Sequence, residues 1–392
     1  MRKVVVAMDS MKGCLDSLSA SRALADGITN HRTDVMAVCV PVADGGEGTA
    51  AALADGDNNF TKQISKVTGP QGTEILAEWY LDVVSGTAFI DMASASGLAL
   101  ISENERNPLH TTTFGVGELV LYAVGAGAKK VMLGLGGSAT VDAGLGACQA
   151  MGLKILDNDG NELPIPFIGG MLQQVSGFNE QELSWLREIE IFLLCDVTAP
   201  FTGETGAARV FGPQKGATPE DVEFLEGGME NVRELIISKK GQDLNDEAGS
   251  GASGGMAGGL MAFAGGKIMM GAPMILEAIG FDKILEDADM ILTGEGSSDG
   301  QTLMGKIPYE ILQSGKRKNI PVWLVAGCVK DRDALLDAGF EKVVCINSSE
   351  NAERSGTVGR NPMEPEVAKK RLFSMINDKV ILVLGIQKTG TK

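Results

Sequence analysis

The chain opens on an apolar run, Val4–Ala7, that stops at Asp9 and gives way to the polar loop Asp9-Ser-Met-Lys-Gly13. Small and apolar residues then recur at helical spacing, at Leu18, Ala20, Ala23, Leu24 and Ile28. This order predicts a buried strand feeding a helix. The unit repeats, with Val35–Val40 as a strand opening into Ala43-Asp-Gly-Gly-Glu-Gly-Thr49 and an Ala-rich helix. The texture then changes. Residues 61–67, 75–83 and 86–91 read as three strands of a meander, with turn signals at Gly69-Pro70 and Ser85-Gly86.

From about 93 to 285 the elements are less regular and richer in glycine. Phe114–Ala128 reads as a helix, and Val131–Leu133 as a strand opening into Gly134-Leu-Gly-Gly-Ser-Ala-Thr-Val-Asp142. Ile189–Leu194 reads as a strand ending at Cys195-Asp196, and Pro219–Lys239 as a long polar helix. In Gly249–Gly259, six of eleven residues are glycine. The final third returns to alternation, with strands at Met290–Leu292, Val322–Val325 and Val343–Ile346 and helices near Pro308–Lys318 and Arg332–Ala338. The expected fold is α/β with two α/β domains. A doubly wound, Rossmann-like domain is made from both chain ends (1–92 and 286–392), and a glycine-rich α/β domain (93–285) is inserted in it.

Charge narrows the partners. The 392 residues carry a net charge of −17, which argues against a nucleic-acid footprint or an anionic membrane surface. A phosphorylated small molecule stays compatible, because a divalent cation and a few local lysines outweigh the global field. Six scattered cysteines without C-x-x-C spacing and only two histidines, His31 and His110, argue against a zinc site and a histidine-centred triad. The first apolar run is too short for a signal-peptide core or a membrane helix, so a cytoplasmic protein is expected.

Chemistry is suggested by where acids and glycines fall. Apolar runs end in loops at Asp9–Gly13, Asp44–Thr49, Gly134–Asp142, Asp196–Gly203 and Thr293–Lys306, each carrying a carboxylate. In open α/β sheets, ligands bind beyond the carboxyl ends of strands. Glycine lets backbone N–H groups approach phosphate, carboxylates can hold Mg²⁺, and Lys12, Lys215 and Lys306 can sit on phosphate oxygens. The same residues also serve as turns and helix caps, so one loop alone decides nothing.

Three short matches are discounted. Gly300-Gln-Thr-Leu-Met-Gly-Lys306 fits the front of a P-loop, but Ile307 stands where Ser or Thr should ligate magnesium, and the loop begins eight residues after the expected strand. Gly249-Ser-Gly-Ala-Ser-Gly254 has no strand before it. Gly134-Leu-Gly-Gly-Ser-Ala139 follows a strand, but its acidic partner would fall near Asp157 or Asp159, in what reads as a hairpin turn. An NAD-dependent hydroxy-acid dehydrogenase is the alternative reading, and a non-catalytic ligand sensor a third.

Together these loops resemble the type I glycerate kinase family. Val4-Val-Val-Ala-Met-Asp-Ser-Met-Lys-Gly13 is similar to its strand and D-S-F-K-G loop, with Met11 for Phe. Pro41-Val-Ala-Asp-Gly-Gly-Glu-Gly-Thr49 matches its signature without change. Leu135-Gly-Gly-Ser-Ala-Thr-Val-Asp142 and Cys195-Asp-Val-Thr-Ala-Pro200 resemble two more, with Val141 and Ala199 each replacing an Asn. Phe211-Gly-Pro-Gln-Lys-Gly216, and Thr293–Thr302 with Gly305-Lys306, complete the set. After about residue 347 the likeness weakens.

The resemblance implies ATP- and Mg²⁺-dependent phosphorylation of D-glycerate, with 2-phosphoglycerate the usual product and 3-phosphoglycerate the alternative, in an interdomain cleft. Asp196 is expected as the acceptor of the attacking hydroxyl's proton or as a magnesium ligand, with Lys12 and Lys215 neutralising phosphate or the glycerate carboxylate. Glu295 and Asp299 are expected to hold magnesium. The expected substrate and phosphate contacts are Asp9, Ser10, Asp44, Gly45, Gly46, Glu47, Gly136, Gly137, Ser138, Thr140, Gln214, Gly294, Gln301 and Lys306. D-glycerate and ATP are the expected partners. The sequence leaves the oligomeric state open.

Overall fold

A computed structural model describes residues 1–11, 14–42, 50, 60–347 and 364–375. In chain order its strands are β1 (Arg2–Met8), β2 (Val35–Cys39), β3 (Phe60–Thr68), β4 (Glu74–Asp82), β5 (Thr87–Asp91), β6 (Lys130–Gly134), β7 (Lys154–Leu156), β8 (Gly177–Asn179), β9 (Glu190–Leu194), β10 (Lys267–Met269), β11 (Met290–Ser298), β12 (Val322–Val329) and β13 (Lys342–Cys345). The chain forms two compact units, Met1–Asp44 with Ala272–Lys392, and Gly45–Gly271.

The terminal unit is built on a five-stranded sheet in the order β13-β12-β11-β1-β2. All its pairings are parallel, with Val4 opposite Met290 and Arg2 opposite Val35. Parallel strands are apolar on both sides because helices cover both faces, and β1 reads accordingly. Val4, Val6 and Met8 face the helices Ser17–His31 and Pro365–Met375. Val5 and Ala7 face Ala272, Leu276, Phe281 and the helix Ile307–Lys318. The first helix starts where Asp16 accepts from the Ser19 N–H at 2.7 Å, and His31 ends it with Nδ1 2.8 Å from the Gly27 carbonyl oxygen.

The inserted unit holds a six-stranded sheet in the order β10-β9-β6-β5-β4-β3. β10, β9, β6 and β5 are parallel, and the β5-β4-β3 meander continues the sheet antiparallel. Its core gathers around Leu119, Leu133, Phe167, Phe201, Met229 and Met256. β7 and β8 form a separate antiparallel pair.

The boundaries expected at 92/93 and 285/286 shift. The meander belongs with the inserted sheet because β5 pairs in parallel with β6, Thr87 opposite Lys130. Residues 272–285 pack instead on the terminal sheet, through Ala272, Leu276, Phe281 and Leu285. Among the described residues, no helix is long and apolar enough to cross a membrane.

Candidate active site

In the terminal unit, β1 and β11 lie side by side, and the helices that follow them cover opposite faces. This is the topological switch point of the sheet, where open α/β folds bind ligands. Asp9 and Glu295 stand at its carboxyl end. Serines from the first helix fix the loop: Ser17 Oγ donates to the Met8 carbonyl at 2.7 Å and accepts from the Val42 N–H at 3.0 Å. Ser21 Oγ accepts from the Met8 N–H at 3.0 Å. Asp9 is buried, donates its N–H to the Gly294 carbonyl at 2.8 Å, and accepts the Ser10 N–H at 2.6 Å.

Most of the other expected contacts here also make contacts within the protein. A Cβ on Gly294 would sit 1.6 Å from the Val325 carbonyl oxygen, so glycine is required by the neighbouring strand β12. Glu295 Oε1 accepts from Thr302 Oγ1 at 2.6 Å and Ser298 Oγ at 3.1 Å, and Oε2 lies 3.2 Å from Lys306 Nζ. Asp299 caps the short turn Gly300–Leu303, accepting the Gln301 N–H at 2.9 Å, while Gln301 itself is exposed. Magnesium, which the resemblance implies, would have to compete in this pair with three protein donors on Glu295 and with the cap that Asp299 makes. Among the described residues no three His, Cys, Asp or Glu side chains converge as a metal site.

The P-loop-like stretch looks different in three dimensions. β11 runs on to Ser298, so Gly300–Lys306 does connect a strand to a helix. Ile307 still lacks the hydroxyl, and Lys306 is engaged by Glu295.

In the inserted unit, β5, β6 and β9 finish at one edge, with Asp91 opposite Gly134 and Gly134 opposite Leu194. This register brings Asp91, the Leu135–Asp142 loop and Asp196 to the same carboxyl edge. Asp196 is exposed and accepts the Gly271 N–H at 3.2 Å. Gly137 is exposed with φ +72°, and Ser138 beside it is 8% exposed. Burial pushes the neighbouring Cys195 thiol up to about 11, so it stays protonated at neutral pH and is no nucleophile. Gln214 is exposed on the turn that precedes Lys215.

Lys215 lies beneath the loop. It is 2% exposed, and its ammonium donates to Ser138 Oγ at 2.7 Å and to the Thr140 carbonyl at 2.8 Å. Burial lowers its pKa to about 7, and the Asp142 charge works against that shift. Asp142 is fully buried, which raises its pKa, while the N–H groups of Thr113, Gly144 and Gly146 and the Thr113 hydroxyl pull it back down. The Thr113 oxygen accepts from the Ala147 N–H at 2.9 Å, which leaves its proton for Asp142. Donors alone surround this carboxyl, an arrangement that suits the ionised form. Thr140 is wholly buried, with its hydroxyl unpartnered, so it supports the loop from inside.

The glycine run serves the same loop. Ser253, Gly254 and Gly255 all have positive φ, and a Cβ on Gly254 would meet the Thr140 carbonyl oxygen at 2.0 Å. The close approach that glycine permits here is to protein backbone. The two departures from the family pattern fit this picture. Val141 is 0% exposed in the unit's core, and Ala199 contributes a carbonyl that accepts the Gly251 N–H at 3.0 Å.

The sequence reading assigns no role to Asp91 or Thr113 and counts Asp142 only as the acid of its loop, although the strand-end rule applied to β5 selects Asp91. Lys12, Asp44, Gly45, Gly46 and Glu47 lie outside the described residues. The dinucleotide fingerprint is not realised. The helix expected directly after Gly134–Ala139 begins only at Leu145, and Asp157 sits in the turn of an antiparallel hairpin.

An α/β fold with polar side chains collected on the carboxyl edges of its parallel strands belongs to the class that binds its ligands at those edges. The chain belongs to the glycerate kinase family, whose model matches residues 4–362. It is 39% identical over 346 residues to a glycerate kinase of Haemophilus influenzae, covering 88% of this chain and 91% of that one. It is 37% identical over 358 residues to glycerate 2-kinase of Escherichia coli, covering 90% and 93%. The crystal structure of a Salmonella typhimurium LT2 chain named as a candidate glycerate kinase 2 matches with a TM-score of 0.81 and 35% identity, over 98% of this chain and 99% of that one.

Proposed function

We propose that this protein transfers the γ-phosphoryl group of ATP to D-glycerate, forming 2-phosphoglycerate, in the bacterial cytoplasm. The observation that carries the reading is the carboxyl edge of the inserted sheet. It presents an exposed carboxylate, Asp196, in the same row as the Gly136-Gly137-Ser138 loop and Asp91. Phosphoryl transfer asks little covalent chemistry of the protein: it needs positioning, charge neutralisation and an acceptor for the attacking hydroxyl's proton. Asp196 supplies that acceptor. The backbone of Gly136 and Gly137 and the Ser138 hydroxyl supply donors for anionic oxygens. Asp9 and Ser10, at the switch point of the terminal sheet, are the contacts proposed for the nucleotide. Magnesium, when bound with ATP, would neutralise phosphate charge, and no residue described here is assigned to it.

The test is ADP formation coupled to NADH oxidation, with D-glycerate and magnesium present, followed by phosphorus NMR of the product. ADP release dependent on D-glycerate, with a 2-phosphate resonance, is the expected result. A 3-phosphate resonance would correct the product. No ADP release with D-glycerate would remove the kinase reading.

A further inference from the structure

We infer that Lys215 is a positioning residue that acts through Ser138, holding the serine oxygen as an acceptor so that its proton is aimed at an anionic oxygen of a substrate. The inference rests on the kinase reading only for which substrate carries that anion, the glycerate carboxylate or an ATP phosphate.

Proton bookkeeping carries the argument. A lysine ammonium has three donors and no acceptor, whereas a serine hydroxyl has one donor and two lone pairs. At 2.7 Å the Lys215–Ser138 contact can therefore run only from nitrogen to oxygen while the ammonium is charged. The Thr140 carbonyl takes a second ammonium proton at 2.8 Å and fixes the side chain's direction. Ser138 donates to no protein acceptor among the described residues, so its proton is left for a ligand at a position that keeps some exposure beside Gly137.

Loss of one proton from Lys215 reverses this geometry. A neutral amine has a lone pair, and the Ser138 proton can turn inward onto it. The outward donor is then lost without any movement of the backbone. Asp142 is the charged group that bears on Lys215 and opposes its deprotonation; Arg106 meets the adjoining Gly216 through its backbone carbonyl. Sequence reasoning places Lys215 on the substrate itself. Its burial beneath the loop assigns it the indirect role.

The test measures KM for D-glycerate and for ATP separately between pH 6 and 9, in the wild type, Ser138→Ala, Lys215→Met and Asp142→Asn. In the wild type, KM for one substrate should rise about tenfold through neutral pH, as expected for loss of a hydrogen bond to a charged group, and the other should stay flat. Which one rises identifies the anion. Ser138→Ala should hold that KM at its high-pH value throughout, Lys215→Met should abolish its pH dependence, and Asp142→Asn should move the transition to lower pH. A Ser138→Ala enzyme that keeps the wild-type pH dependence would overturn the proposal. A readout independent of turnover is the Nζ titration of Lys215, followed by nitrogen NMR on the full chain and assigned by its absence in Lys215→Met. It should fall in Ser138→Ala, which removes an acceptor of the ammonium. If it does not move, the proposal fails, whatever the protein phosphorylates. Wild type that forms no ADP would sink the kinase reading, and the titration would still decide this one.

Discussion

Gly254 and Thr140 touch through backbone alone: a single Cβ on the glycine would lie 2.0 Å from the threonine carbonyl oxygen. Gly254 also has φ +71°, so alanine there is strained twice over. Gly254→Ala should destabilise the protein by about 2–4 kcal/mol, which denaturant unfolding would register. Because the displaced carbonyl is also a Lys215 acceptor, turnover should fall further than stability alone explains. An unfolding midpoint equal to wild type would show that the glycine is not required by this contact.

Asp196→Asn should lower kcat by two orders of magnitude or more and leave the ATP KM within a factor of about two. The side chain is exposed and asparagine keeps an oxygen to accept the Gly271 N–H, so the thermal midpoint should change by only a few degrees. Wild-type turnover in this variant would remove Asp196 from the mechanism.

Lys215 makes a signed prediction about pH and stability. Its pKa is about 7 folded, against roughly 10.4 for a free lysine, so between these values the unfolded chain binds more protons. This residue therefore makes stability rise with pH across that window, by at most ~1.4 kcal/mol per pH unit. Lys215→Met lacks the effect. Its stability advantage over wild type should be largest at pH 7 and below and should narrow toward pH 10. A difference that stays constant with pH would mean that Lys215 titrates normally in the folded protein.

Three protein donors on Glu295 make it a testable case of a structural carboxylate against a metal ligand. Glu295→Gln should weaken the Lys306 pair and lower the thermal midpoint, since the carboxylate is buried and the lysine only partly exposed. The magnesium concentration giving half-maximal activity should stay within about twofold of wild type. A tenfold rise in that requirement would return Glu295 to the metal.

Much of the fold is legible in single residues. Val4–Ala7 is apolar at every position because helices cover both faces of its sheet, and the β3–β5 meander shows its turns at Gly69-Pro70 and Gly86. Sheet membership is not legible, because parallel pairing of β5 with β6 is a long-range choice that leaves no local mark. β11 reads short for a related reason. Thr293-Gly-Glu-Gly-Ser-Ser298 looks like a loop, yet pairing with β12 extends it, and Gly294 is what lets the Val325 carbonyl approach. For the candidate site, the strand-end rule selects Asp9, the Gly136–Ser138 loop and Asp196. It cannot tell how many protein donors a carboxylate already accepts, as Glu295 does, or see that Lys215 points inward.

The central pairing of β1 with β11 joins residues some 286 positions apart, as the Thr293 bond to Ala7 illustrates. Loop closure over such a distance is slow, and domains tend to fold as they leave the ribosome. The first strand is made early and can pair at once with β2, but its other edge must wait until β11 is synthesised almost three hundred residues later. Meanwhile the intervening unit can complete its own core. The terminal sheet is thus expected to close last, with the β11-facing edge of β1 open through most of the chain's synthesis.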